Sequence, residues 1–120
     1  MPKLTLGTVE TYFANIVWEN APLSTAALIS LCAEKLNWKR TTTYTVLKKL
    51  CEGGIFKVEN SQVTVEISKE EFVAMQSEEF VEKTFEGSLP AFIAAFASRK
   101  SISAEELEQI KELIRNFEEN

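Results

Sequence analysis

The chain has 120 residues, 45% of them hydrophobic, and a formal net charge of −5. That length and apolar content fit one small packed domain, or one with an appendage, and exclude wholesale disorder. There is no histidine and there are two cysteines, Cys32 and Cys51, so an imidazole triad, an imidazole general base, a histidine-dependent zinc site and a tetrahedral thiolate site within one chain are excluded.

No apolar run approaches the roughly 18 residues of a membrane span. The opening MPKLTLGTVE lacks the apolar core of a signal peptide. The expectation is a soluble cytoplasmic protein with no membrane partner. Both cysteines fall on apolar faces of predicted helices, as small core residues rather than as a disulfide. The glutamates lie on helix surfaces or in runs such as Glu70-Glu71 and Glu78-Glu79, which solvated faces explain better than acid/base pairs do. Gly53-Gly54 is too short to cradle a phosphate and lacks a partner Lys-Ser/Thr. No enzyme, cofactor or metal is expected.

In chain order, Leu6–Glu19 is predicted as a first helix burying Val9, Phe13, Ile16 and Val17, broken by Asn20-Ala21-Pro22. Ser24 is a suitable N-cap for a second helix, Thr25–Leu36, with Leu28, Leu31, Cys32 and Leu36 as its stripe. The turn Asn37-Trp38-Lys39 leads to a third helix, Arg40–Glu52, and the Trp38 ring is expected as a core plug under that turn. Gly53-Gly54 ends the helix, since glycine reaches the left-handed conformation cheaply. Ile55–Glu59 and Val63–Ile67 are β-prone runs with Asn60-Ser61-Gln62 as the hairpin turn. Three helices and a hairpin make the winged helix-turn-helix order, in which the third helix enters the major groove and the wing lies on the backbone.

The third helix has two unlike faces. Thr43, Val46, Leu47 and Leu50 share one side at a period of about 3.6 residues. Opposite lie Thr41, Thr42, Tyr44, Thr45 and Lys48, with Lys49 at the edge. Short hydroxyls can donate or accept at base edges, while lysines and tyrosine hydroxyls suit phosphate oxygens. The charge is also divided. Residues 1–67 carry seven Lys/Arg and six Glu, whereas residues 68–120 carry six Lys/Arg and twelve Glu. Lys39, Arg40, Lys48, Lys49 and Lys57 gather against the single acid Glu52 in Trp38–Lys57. Positive charge therefore sits where the recognition helix is proposed. Lys39, Arg40, Lys48 and Lys49 are expected at phosphates, and Thr42 and Tyr44 at or near bases.

Ser68 is expected to cap a helix Lys69–Phe85 that Gly87 stops. A short apolar helix Pro90–Ala97 follows, and then a last helix from Ser103 through Phe117, with Ser103 and Glu106 at capping-box spacing. Three helices with this many apolar side chains cannot easily hide them alone. Packing back on the N-terminal module is one solution. Packing against the same segment of a second chain is the other and the favoured one, with Phe72, Met75, Phe80, Phe92, Phe96, Leu107, Ile110, Ile114 and Phe117 as the expected dimerisation surface. The fold class is mainly α with a small β-hairpin wing. Residues 1–67 form the winged helix-turn-helix DNA-binding domain and residues 68–120 a three-helix dimerisation domain.

This order and these residues resemble the penicillinase repressor family over nearly the whole chain. The resemblance is carried by Ile16-Val17-Trp18, by Leu23-Ser24-Thr25, by Trp38 through Leu50 with Gly53-Gly54, and by Ser68-Lys69-Glu70-Glu71-Phe72. It implies a homodimeric bacterial repressor that binds inverted repeats in promoters. Thr41, Thr42, Tyr44 and Thr45 would then lie against the major groove, and Lys49 would replace a usual arginine at a phosphate. Where members often have Gly-Arg in the wing, this chain has Glu59-Asn60-Ser61-Gln62. Lys39-Arg40 stands where Ser-Pro often begins helix three. The copper-responsive branch's C-terminal cysteine cluster is missing, which excludes copper sensing by that route. The antibiotic-responsive branch is cleaved at an Asn-Phe bond by a regulatory protease. The matching pair here is Ala95-Phe96, a candidate proteolytic switch. The alternative from another class is a winged-helix protein-interaction module that binds no DNA, which the acidic total charge and the poorly basic wing favour.

Overall fold

A computed structural model describes residues 5–119. Helix α1 spans Thr8–Asn20, with Gly7 as its cap. The Gly7 N–H donates to Glu10 Oε1 at 3.0 Å, which satisfies one of the amides a helix start leaves free. This start lies two residues later than the sequence pattern suggested, and Val9, expected inside, is 52% exposed. An apolar residue in the first turn belongs to the stripe only if the helix axis keeps it over the core. Here Phe13, Ala14, Ile16 and Val17 fill that role.

Strand β1 is the pair Leu23–Ser24, and helix α2 follows directly over Thr25–Leu36. Ser24 serves both elements. Its backbone pairs with Gln62 of the sheet, and its hydroxyl accepts the Ala27 N–H at 3.0 Å as the N-cap. Asn37 closes α2 in the left-handed conformation, at φ 55°. Helix α3 spans Arg40–Glu52. Of the two glycines after it, Gly53 remains in the right-handed region and Gly54 alone takes positive φ, at 83°. The stop thus needs one glycine, not two.

Strands β2 (Phe56–Glu59) and β3 (Gln62–Val65) form the hairpin. Gln62, expected in the turn, pairs with Glu59, which leaves Asn60-Ser61 as a two-residue loop with φ of 52° and 60°. Positive φ at both positions matches the primed turn that fits the strands' right-handed twist. The strands are ordered β1-β3-β2, all antiparallel. This small sheet beside three helices is a winged helix fold.

Helix α4 spans Lys69–Phe85, capped by Ser68, whose hydroxyl accepts the Glu71 N–H at 3.1 Å. Helix α5 spans Leu89–Arg99, a turn longer than its apolar core suggested, because Ser88 caps it from outside that core. Helix α6 spans Ala104–Glu119. Ser103 caps it by accepting the Glu106 N–H at 3.1 Å while its hydroxyl donates to the Glu106 carboxylate at 3.3 Å.

The chain divides into two compact units between Ser77 and Glu78, inside α4. The core of the first takes Phe13 and Val17 from α1, Leu28 and Cys32 from α2, Leu47 and Leu50 from α3, Ile55, Phe56 and Val63 from the hairpin, and Phe72 from α4. Trp18 ties these together. Its indole N–H donates to the Ile67 carbonyl at 3.0 Å, and its ring packs on Phe56 and Phe72 with centroids 5.6 and 5.7 Å away. Trp38 stacks on Phe13 at 5.6 Å beneath the turn before α3. In the second unit an aromatic cluster links α4 to α5, with Phe80, Phe85 and Phe92 meeting pairwise edge-on at 5.6–6.0 Å. None of the described residues from 78 to 118 is buried, and Phe117 is 77% exposed.

Candidate nucleic-acid interface

Helix α3 is fastened by one face. Leu47 and Leu50 are buried against the first unit's core, Val46 is half-buried, and Thr43 is 1% exposed. Thr43 tolerates burial because its hydroxyl donates to the Lys39 carbonyl at 3.4 Å, and a buried polar group needs such a partner. The Cys32 thiol of α2 meets the same hydroxyl. Burial pushes that thiol's pKa up, and the Thr43 hydrogen bond opposes the shift in part. Cys51, half-buried at the end of α3, is pushed up by burial and by the neighbouring Glu52. Both thiols are free.

The opposite face looks outward. Arg40, Thr41, Thr42, Tyr44, Thr45, Lys48 and Lys49 are all exposed, as is Lys39 at the cap position. Structure and sequence pattern agree on which residues α3 presents. The exposed groups differ in how far they are committed. The Thr45 hydroxyl donates to the Thr41 carbonyl at 2.9 Å, so only its acceptor capacity remains. The Arg40 guanidinium lies over the Tyr44 ring, 5.5 Å from its centroid, which limits the freedom of both side chains.

Lys49 is engaged elsewhere. Its ammonium donates to Glu10 Oε2 at 2.5 Å, joining α3 to the first turn of α1. The Lys49 hydrogen bond, followed by the Gly7 N–H, holds the Glu10 carboxyl below its ordinary pKa. In the wing Lys57 pairs with Glu59 at 3.1 Å, and Glu59 and then Glu66 hold the Lys57 ammonium above its ordinary pKa. Among the described residues no ion pair reaches Lys39, Arg40 or Lys48. The unpaired positive charge of this face therefore lies at the start of α3, on Lys39 and Arg40, and again in its second half, on Lys48. Glu10 had no signal in the sequence, because it meets Lys49 across 39 residues of chain.

The residues expected to mediate dimerisation fall into two groups. Phe72 is 6% exposed inside the first unit's core, against Trp18, so its own chain accounts for its burial. Phe80, Phe96, Leu107, Ile114 and Phe117 are exposed, while Met75, Phe92 and Ile110 are half-buried. The Ala95-Phe96 bond lies within α5, and the Ala95 carbonyl accepts the Ser98 hydroxyl at 2.7 Å. Among the described residues no group of three or more acidic or cysteine side chains could hold a metal ion. Among the described residues no helix is long and apolar enough to cross a membrane.

Comparison with known families bears on the chain as a whole. The family model described as penicillinase repressor matches residues 6–116. The chain belongs to the penicillinase repressor family. It is accordingly a DNA-binding transcriptional repressor of a family that is not enzymatic. A comparison with curated proteins finds no match.

Proposed function

We propose that this repressor acts as a homodimer on inverted-repeat promoter DNA, with α3 of each subunit in the major groove. The observation that carries this reading is the division of α3 into a buried face of Thr43, Leu47 and Leu50 and an exposed face of hydroxyls and cations. Lys39, Arg40 and Lys48 meet phosphates, and Thr42 and Tyr44 lie at or near base edges, with Thr41 and Thr45 beside them. Residues 1–67 form the DNA-binding domain, and residues 68–120 form the dimerisation domain. Support for the second assignment is the absence of any buried residue among 78–118, beside the exposed Phe96, Leu107, Ile114 and Phe117. Such surface calls for a cover, and a second copy of the same segment supplies one by symmetry.

The operator then holds two half-sites about one helical turn, or about 10 bp, apart. The protein works in the bacterial cytoplasm, and a regulatory protease relieves repression at Ala95-Phe96 once α5 opens locally. Footprinting on an operator fragment, paired with the mass of the complex, tests the reading. Two protected half-sites carrying two chains are expected. One protected site carrying one chain would overturn the dimer.

A second reading, a winged-helix module that docks a protein and no DNA, draws on the pairing of Lys49 with Glu10 and of Lys57 with Glu59. Substituting Lys48 and Lys49 separates the two, since loss of DNA retention supports the repressor and loss of protein binding alone supports the module.

A further inference from the structure

The C-terminal end of α3 carries a cation that its own chain has claimed. The Glu10 carboxylate is fixed at both oxygens, with Oε1 accepting the Gly7 N–H at 3.0 Å and Oε2 accepting the Lys49 ammonium at 2.5 Å. Glu10 is half-buried on the first turn of α1, so its position is set by a helix start rather than by a free rotamer. Lys49 is exposed, at the edge of the face that α3 presents. A lysine contributes to DNA affinity by replacing counterions at a phosphate, and one already neutralised by a carboxylate has less to contribute.

We propose that Glu10 sets the DNA affinity of this repressor by holding Lys49 in an intramolecular ion pair that withholds the ammonium from the DNA backbone. Glu10 is a positioning residue that acts through Lys49, and the inference rests on α3 being the DNA-binding element. Its consequence is counterintuitive. Lys49 lies on the recognition helix, yet its removal costs almost no electrostatic affinity. Removal of an acid on a different helix increases that affinity.

The test is binding of the full chain to a fluorescently labelled mixed-sequence duplex across a salt series. The proteins are the unsubstituted chain, K48Q, K49Q, E10Q and E10Q/K49Q. Glutamine at position 10 keeps an amide oxygen for the Gly7 N–H and removes only the charge. One phosphate contact changes the slope of log affinity against log salt by about 0.9. K48Q is expected to flatten the slope by that amount, K49Q to leave it unchanged, and E10Q to steepen it by about 0.9. Equivalently, the affinity advantage of E10Q shrinks about 3.5-fold between about 50 and 200 mM salt. In E10Q/K49Q the slope returns to that of the unsubstituted chain.

A K49Q loss equal to that of K48Q overturns the proposal, as does an E10Q gain that persists without Lys49, which would mark plain repulsion between Glu10 and DNA. K49Q also tests the idea independently of any effect of E10Q on folding. Failure of the underlying reading looks different, because then neither the unsubstituted chain nor K48Q shows salt-dependent binding.

Discussion

Replacing Phe72 with alanine separates a core role from an interface role for the aromatic residue that begins α4. The ring is 6% exposed, packs on Trp18 at 5.7 Å, and belongs to the same cluster as Phe13, Leu50 and Phe56. Truncating a buried phenylalanine costs about 3–5 kcal/mol through lost transfer energy and the cavity left behind. Trp18 is only partly buried and can lean into the space, so the lower end, about 3 kcal/mol, is expected. That is a large share of the roughly 5–15 kcal/mol by which a domain is stable. The assay is urea unfolding followed by tryptophan fluorescence, because both tryptophans, Trp18 and Trp38, belong to the first unit and report on it selectively. With urea slopes of about 1–3 kcal/mol/M, the midpoint falls by about 1–3 M. The loss must be the same at low and high protein concentration, since the lost contacts lie within one chain. A shift too small to resolve, or one that grows on dilution as an interface residue requires, would refute the reasoning.

Three further outcomes follow from particular contacts. W18F keeps an aromatic ring beside Phe56 and Phe72 but leaves the part-buried Ile67 carbonyl without this donor, so it should lower stability by about 1 kcal/mol in the same urea assay, the low end of the range for an orphaned hydrogen-bonding group. T42A and Y44A should each weaken binding to a selected operator by about 1–3 kcal/mol and leave mixed-sequence DNA nearly unaffected. Equal losses on both DNAs, measured by titration, would remove Thr42 and Tyr44 from base contact. The Glu10 carboxyl has a folded-state pKa below its ordinary value of 4.5. The stability it contributes is therefore present above about pH 4.5 and is lost as pH falls through the lower folded value. Acid titration of E10Q should show a flatter fall in that window than the unsubstituted chain.

Much of this architecture was legible because local chemistry decides it. The bounds of α2, α3 and α4 match the sequence reading, since each start has a serine cap or a turn before it and each stripe runs at the helical period. The exposed face of α3 was legible for the same reason. Strand β1 was not, because two residues cannot display an alternating pattern, and Leu23–Ser24 is a strand only because Val63 and Gln62 lie beside it. Val9 looked like core and is exposed, since periodicity says which residues share a face but not where a first turn leaves the core. Phe72 reads equally well as the start of a dimer seam or as part of the first unit's core, and only its packing on Trp18 separates the two. The Glu10–Lys49 pair joins two helices that a linear pattern treats independently, and with it the apparent charge of α3 changes.

The most direct test of the central claim is a selection of fragments from genomic DNA by the purified protein at two salt concentrations. A sequence-specific dimer retains, at the higher salt, fragments that share an inverted repeat with half-sites about one helical turn apart. Recovery of nothing, or only of unrelated fragments that the higher salt releases, would contradict the claim that α3 reads DNA sequence.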